Sequence, residues 1–283
     1  MKKRELGQLG HLCASALLSA SLLLGGCGPQ GESAKPASGA QSAGAASASA
    51  AAPVSRDFVI VGVDTQSTPM AFWDSQTRAI VGYDVDMAKE ALKRAGLKHE
   101  FEAIDWSRKE KDLLQDKKID LIWSSMSVTE ERKRIFAFSN PYIKNQQAIL
   151  VRADSPIQGK GDLGGKKVAV NKGSIGASLV KRLSGAEAPA KVEEFDVRID
   201  IFSAVLSGQA DAAVTDGVVA NYYSVNSPGK FRVLKDSLQE EDLAVAVRPA
   251  DTELLEKINK ALADMQADGS AQAIQQRWFG GSQ

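Results

Sequence analysis

Cysteine and histidine are almost missing from this chain of 283 residues: there are two of each. Cys13, Cys27 and His11 lie within the first 27 residues, which leaves only His99 for the other 256. A disulfide framework, a Cys/His zinc cluster, a Cys-His dyad and a two-His metal site are therefore excluded from the body of the protein, and neither metal nor cofactor is expected there. An excess of one charge sign is lacking as well. With 35 basic and 35 acidic side chains, the chain has no overall electrostatic footprint of a nucleic-acid binder. Gly161 to Gly165 lacks the pattern of a phosphate loop, so no nucleotide site is expected. What is present is 43% hydrophobic residues, enough to bury a core and to exclude a wholly disordered chain. The length suits one large domain or two of about 100 to 130 residues.

Lys2, Lys3 and Arg4 precede a short apolar run from Leu12 to Leu24, the make-up of a secretion signal over residues 1–26 rather than of a membrane span. Its end, Leu24-Gly25-Gly26-Cys27, resembles the bacterial lipobox. That resemblance implies cleavage before Cys27 and acylation of its sulfur by chains such as palmitate, a durable membrane anchor. Residues 28–53 are almost entirely Ala, Ser, Gly, Gln and Pro, which cannot bury apolar surface and read as a flexible tether. The mean reach of such a tether is roughly 28 Å. The expected location is extracytoplasmic, lipid-anchored to the cell membrane on the periplasmic side or at the cell surface. Folded structure is expected from Val54 onward.

From there short apolar runs alternate with helical patterns. Phe58 to Val63 has the β-branched density of a buried strand, and Asp84 to Gly96 puts Met87, Ala88, Ala91, Leu92 and Ala95 on one helical face. Ile119–Trp123, Ala148–Val151, Val168–Val170, Ala212–Val214 and Leu243–Val247 read as further strands, and Thr252 to Ala267 as a last long helix. The alternation indicates an α/β body with mostly parallel sheets. A weak echo links Leu114 to Ile122 with Leu206 to Val214: each reads as a helix end, a polar turn, and an Asp (Asp120, Asp211) opening a strand. Two similar lobes follow, with a cleft between them facing strand carboxyl ends.

The stretch Asp120-Leu-Ile-Trp-Ser-Ser-Met-Ser127-Val-Thr129-Glu-Glu-Arg132, followed by Phe138-Ser-Asn-Pro-Tyr142, carries the most chemistry. A strand runs into a Ser-rich turn, Thr129 can cap a short helix, and Arg132 sits one turn into it. Hydroxyls, helix-start N–H groups and a guanidinium fork together suit a carboxylate. The same residues would also serve as mere caps, with Arg132 paired to a Glu on the surface. These pieces are similar to the carboxylate clamp of the bacterial extracellular solute-binding protein family 3, the polar amino-acid receptors of ABC importers. Further pieces follow in the family's order: Gly82-Tyr-Asp-Val-Asp86, Asp162-Leu-Gly-Gly-Lys-Lys-Val168, Lys172-Gly-Ser174, Ala210-Asp-Ala-Ala-Val-Thr-Asp216, and Ala267-Asp-Gly269 to Arg277-Trp-Phe279.

The resemblance implies a two-lobed, type II periplasmic-binding-protein-like fold with two hinge crossovers and the ligand in the interlobe cleft. Lobe 1 would comprise 54–150 plus 247–283 and lobe 2 would comprise 151–246. The implied function is capture of a polar L-amino acid, cationic or amide, by hinge closure and its delivery to an ABC permease. The receptor would be a monomer, not an enzyme, and would contact no nucleic acid. Ser127 and Arg132 would hold the ligand carboxylate with Ser125 nearby. Asn171, Ser174 and the N–H of Ile175 would approach from lobe 2, and Asp216 would take the α-ammonium. Asp64 and Trp106 would select the ligand side chain, the Trp face attracting a cation within about 6 Å. Asp216 could instead cap the helix after it, Asp64 could cap a turn, and Trp106 could fill core. The sequence departs from the family pattern at Ser67, where a second stacking aromatic is common, at Ile175, where a hydroxyl residue is, and at Met70, where Phe is. Glu193-Glu194 and Glu240-Glu241-Asp242 read as solvated acids, and His99 as an exposed residue of a connection. Two rivals share the scaffold: a periplasmic dehydratase, which needs a placed acid or base, and a sensory ligand-binding module.

Overall fold

The computed structural model describes residues 57–280. The signal segment 1–26, Cys27 and the linker to Pro53 lie outside the described residues. In chain order the elements are β1 (Phe58–Val63), β2 (Gln66–Ser67), β3 (Ala71–Trp73), β4 (Ile80–Val81), α1 (Tyr83–Arg94), β5 (Lys98–Ala103), β6 (Leu121–Ser127), α2 (Glu130–Lys133), β7 (Ala137–Phe138) and β8 (Ile143–Arg152). They continue with β9 (Lys167–Asn171), α3 (Ile175–Arg182), β10 (Lys191–Phe195), α4 (Arg198–Ser207), β11 (Ala212–Asp216), α5 (Gly217–Asn226), β12 (Phe231–Val247), α6 (Thr252–Ala267) and α7 (Ser270–Phe279).

Among the described residues the main sheet runs β10-β9-β11-β8-β12-β6-β1-β5, with β7 beside β12. Its two ends are parallel, β5-β1-β6 and β10-β9-β11. Its centre is antiparallel, because the long strands β8 and β12 pair with each other and with the neighbours on either side. The sheet is therefore mixed, and the expectation of a mostly parallel one is corrected at the two strands that join its halves. They run antiparallel because each passes from one half to the other in the opposite sense.

The echo is a structural repeat. Asp120 Oδ2 accepts from the N–H of Ile60, while the Asp120 N–H donates to the Ile60 carbonyl. Asp211 Oδ2 accepts from the N–H of Lys167, and its own N–H donates back to Lys167. In each half an aspartate clamps the strand it opens to the neighbouring strand. The apolar strand residues Val59, Val61 and Val63 are buried with Val85, Met87 and Leu92 of α1 and Ile258 and Met265 of α6. Val168, Val170, Val180 and Val214 build a separate cluster around β9 and β11. At about 25 cal/mol per Å² of apolar surface, such clusters supply the main favourable term for each half.

The C-terminal helices return to the first half. Asp86 of α1 accepts from Arg277 Nη2 at 2.9 Å and from Trp278 Nε1 at 2.8 Å, and Phe279 lies 5.0 Å from the Tyr83 ring. Between the halves, Gln147 to Val151 pair with β11, and Leu243 pairs with both Ile143 of β8 and Ser127 of β6. β12 thus passes from β8 to β6 at Leu243, while β8 keeps β12 as a partner from Ile143 to Arg152. His99 is not in a connection: it lies on β5, half-buried, edge-on to Phe101 at 5.4 Å. No helix of the described residues is long and apolar enough to cross a membrane.

Candidate functional site

Every residue of β6 from Leu121 to Ser127 is buried, and its pairing with β12 is broken by a bulge: Met126 faces Ala244 but Ile122 faces Ala246. Three residues, Trp123, Ser124 and Ser125, there stand against the single Val245, and Ser125 has φ +48 in the left-handed region. A non-glycine there stores strain of about 1 to 3 kcal/mol that its surroundings must hold. Two contacts do so. The Ser125 N–H donates to the Tyr142 hydroxyl at 3.2 Å, and Ser125 Oγ donates to Asp84 Oδ2 at 2.9 Å. Tyr142 in turn donates to Asp84 Oδ1 at 2.8 Å.

Asp84 is placed by the turn before it. Gly82 has φ +142, and a Cβ there would run into the Met70 carbonyl. This close approach lets the first amides of α1, from Tyr83 and Asp84, donate to Pro69 and Met70, setting the fully buried Asp84 beneath Ser125. The Gly82-Tyr-Asp and Pro141-Tyr142 pieces of the sequence thus meet at one carboxyl under the Ser125 turn.

Burial raises the Asp84 carboxyl to about 7, although its two hydroxyl donors oppose the shift. Between pH about 4 and 7 it is neutral in the fold and ionised in the unfolded chain, so the unfolded state binds fewer protons and stability falls as pH rises. Asp84→Asn removes that loss. Unfolding free energies from urea titrations between pH 4 and 8 are expected to match wild type at the acid end and exceed it by up to about 4 kcal/mol at the alkaline end. Parallel curves would sink this account.

Beyond β6, Thr129 caps α2 by accepting from the Arg132 N–H at 3.2 Å. The Arg132 side chain turns inward, not to the surface: the residue is 8% exposed, and its Nη1 donates to the Ser127 carbonyl at 3.0 Å. Its guanidinium carbon lies 5.8 Å from the Trp106 ring centre. Among the described residues no carboxylate pairs with it. Burial lowers its affinity for its proton, while the charges of Glu241 and Asp216 act in the opposite direction. A buried guanidinium without a counter-ion is a site for an anion.

The opposite charge gathers at the carboxyl end of β11. Asp216 Oδ2 takes Arg198 Nη1 at 2.7 Å, and Asp216 Oδ1 takes Asn145 Nδ2 at 3.1 Å and Gln147 Nε2 at 2.9 Å. The same two amides donate to Glu241 Oε1 at 2.7 and 2.8 Å. Glu241 is 7% exposed, and its Oε2 has no partner. Burial and then the charge of Asp216 raise this carboxyl to about 7. The expectation of solvated acids at 240–242 is therefore corrected at Glu241, which the alternation of β12 puts on the face shared by Leu243, Val245 and Val247. Two carboxyls bridged by two amides, with one oxygen unpartnered, make an acceptor set for a cation.

The remaining candidates divide between roles. Asp64 Oδ1 accepts from the Gln66 N–H at 3.0 Å, so it caps the turn after β1, and its Oδ2 lies 3.6 Å from Arg198 Nη2. Trp106 is buried in a cluster with Leu113, Ile122 and Phe136, and its ring lies 4.7 Å from the ammonium of Lys109. Its face is thus turned to two of the chain's own cations. Ser174 caps α3 by accepting from Ala177 N–H at 3.0 Å, and Ile175 is the first residue of that helix, its side chain buried. Asn171 Nδ2 donates to the Phe195 carbonyl at 3.1 Å. Buried polar atoms without partners include Ser67 Oγ, Trp106 Nε1, Asn171 Oδ1, Arg198 Nε and Glu241 Oε2. Buried polar groups are ordinarily hydrogen-bonded, and of these residues Arg198 touches both halves, through Gln66 and Asp216.

Sequence reasoning missed Arg198, Asn145, Gln147 and Glu241. The strand period gave a signal for Glu241 alone. The two amides become visible only when β8 is paired with β11, and Arg198 only when its helix docks.

The family model for bacterial extracellular solute-binding proteins, family 3, matches residues 59–281. The glutamine-binding protein GlnH of the ABC transporter of Bacillus subtilis (strain 168) is 30% identical over 267 residues, covering 93% of this chain and 94% of the relative. The arginine-binding extracellular protein ArtP of the same organism is 33% identical over 224 residues, 79% of this chain and 86% of the relative. Among solved structures, the ancestral amino acid-binding protein AncCDT-1, a precursor of cyclohexadienyl dehydratase, superposes with a TM-score of 0.72 at 34% identity, covering 79% of this chain and 96% of that one.

Proposed function

The chain belongs to the bacterial extracellular solute-binding proteins, family 3, and from that premise we propose that it is the receptor of an ABC importer for a polar L-amino acid with an amide or cationic side chain. The observation that carries this reading is the buried, unpaired guanidinium of Arg132 on one side of the cleft, with the Asp216 and Glu241 carboxyls on the other. An amino-acid zwitterion offers one charge to each, and a buried charge left unpaired costs several kcal/mol. Ser127 and Arg132 take the carboxylate, with Ser125 shaping the turn. Asp216 and Glu241 Oε2 take the ammonium, while Asn171, Ser174, Ile175, Asp64 and Trp106 line the rest. The lobes exchange where β12 passes from β8 to β6, at Leu243, and hinge closure there presents a different surface to the membrane permease. Cys27 anchors the protein through its lipid on the extracytoplasmic side, and the receptor works as a monomer.

Calorimetry of the purified protein against the twenty amino acids, cystine and ornithine is expected to find one ligand at about micromolar affinity, roughly −8 kcal/mol. If none binds, the receptor reading fails. One observation favours a second reading, a dehydratase on the same scaffold: Glu241 is a buried carboxyl held near neutrality in the cleft, as a general acid requires. Turnover of prephenate-like acids without amino-acid binding would put that reading first.

A further inference from the structure

The cleft contains a cation of its own. Arg198, the first residue of α4, is 6% exposed, and its backbone N–H donates to Gln66 Oε1 of the first half at 3.1 Å. Its guanidinium reaches both expected anionic contacts for a ligand, Asp216 at 2.7 Å and Asp64 at 3.6 Å. Asp64 is therefore not an open anion awaiting a ligand cation. Its charge already faces an internal guanidinium, and its other oxygen holds the Gln66 N–H.

Arg198 is itself incompletely satisfied, since Nε is buried without an acceptor. Two further buried donors of the first half, Ser67 Oγ next to Gln66 and Trp106 Nε1, also lack acceptors. The Arg198 guanidinium thus has both its charge partners and still one spare N–H, with the spare Ser67 hydroxyl next to its Gln66 contact. A ligand ending in an ammonium or guanidinium would set like charge beside Arg198 and leave Nε unpaired. A ligand ending in a carbonyl or carboxylate oxygen supplies the acceptor that is lacking.

We infer that Arg198 is a specificity-determining residue that turns this cleft toward L-amino acids whose side chain ends in an acceptor oxygen, carboxamide or carboxylate, and against cationic ones. This rests on the receptor reading, keeps its amide ligands, replaces its cationic ones and adds carboxylates. The trade is a charge-assisted hydrogen bond against a like-charge contact, so the discrimination expected is roughly 10- to 100-fold.

The test is calorimetry of the wild-type protein, Arg198→Ala and Arg198→Gln with L-glutamine, L-glutamate, L-arginine and L-lysine. Wild type is expected to bind glutamine or glutamate at least about 10-fold tighter than arginine or lysine, the order within the first pair separating amide from carboxylate. Both variants are expected to lose that preference. Arg198→Gln keeps a donor for Asp216, so it reports even where the alanine variant folds poorly, and the wild-type ranking needs no variant. A wild-type preference for arginine or lysine, or the same ratio in the folded variants, overturns the assignment. Binding of only an apolar amino acid also overturns it, and with it the polar side chain of the ligand, while the role of amino-acid receptor stands. If no amino acid binds at all, both fall.

Discussion

Arg132→Ala is expected to weaken amino-acid binding at least about 30-fold, since removing one partner of a buried, hydrogen-bonded charge pair costs about 2 to 5 kcal/mol. The effect belongs to the complex and not to the fold. Among the described residues the Arg132 side chain has one hydrogen bond, to the Ser127 carbonyl, and no carboxylate paired with it. Deleting a buried, uncompensated cation removes a desolvation cost, so the free variant is expected to melt no lower than wild type. Arg132→Lys keeps the charge but loses the two-pronged fork and should fall between the two. The measurement is calorimetry with the tightest wild-type ligand, alongside thermal melting of the free proteins. Affinity within about 3-fold of wild type would remove Arg132 from the carboxylate site and leave the receptor class intact.

Asp216→Ala should behave in the opposite way, damaging the fold as well as binding. Asp216 is the common acceptor of Arg198, Asn145 and Gln147, and without it Arg198 keeps only the 3.6 Å approach to Asp64. Breaking a buried ion pair from one side costs about 3 to 5 kcal/mol, because the surviving charge stays buried. Relief of Glu241, whose carboxyl is raised partly by Asp216, offsets some of this. Urea unfolding of Asp216→Ala, Arg198→Ala and the double variant closes a thermodynamic cycle. The double variant is expected to be more stable than the Asp216 single variant. Simple additivity would mean that the pair at 2.7 Å contributes nothing, which the burial argument does not allow.

These two residues also mark how far the chain could be read without coordinates. Arg132 was legible because its neighbours are local: Thr129 three residues earlier is the cap, and Ser127 five residues earlier is the turn. Asp120 and Asp211 were legible as openers of two related strands, and their reciprocal bonds to Ile60 and Lys167 gave that echo its physical content. Asp84 is visible in the sequence as the start of a helix and as part of the Gly82-Tyr-Asp-Val-Asp86 piece. Its actual partners, Ser125 and Tyr142, are 41 and 58 residues away. Glu241 was misread because adjacent acids are usually solvated, whereas β12 alternates and continues the inward face of Leu243 and Val245.

The sheet shows the same division. Each parallel end follows from local alternation of strand and helix, while the antiparallel centre depends on where two long strands cross between the halves. The amino-acid sequence by itself determined the α/β class, the two related halves, the Thr129 cap one turn before Arg132, and the absence of cysteine from the body. Those features depend on periodicity, capping and composition, which act over a few residues. Tertiary structure alone decided that Glu241 is buried, that Asn145 and Gln147 join it to Asp216, and that Arg198 occupies the space between Asp64 and Asp216. Charges are fixed by the chain, but which of them neutralise one another depends on distances of a few ångströms between segments far apart in it, and only the packed halves set those distances.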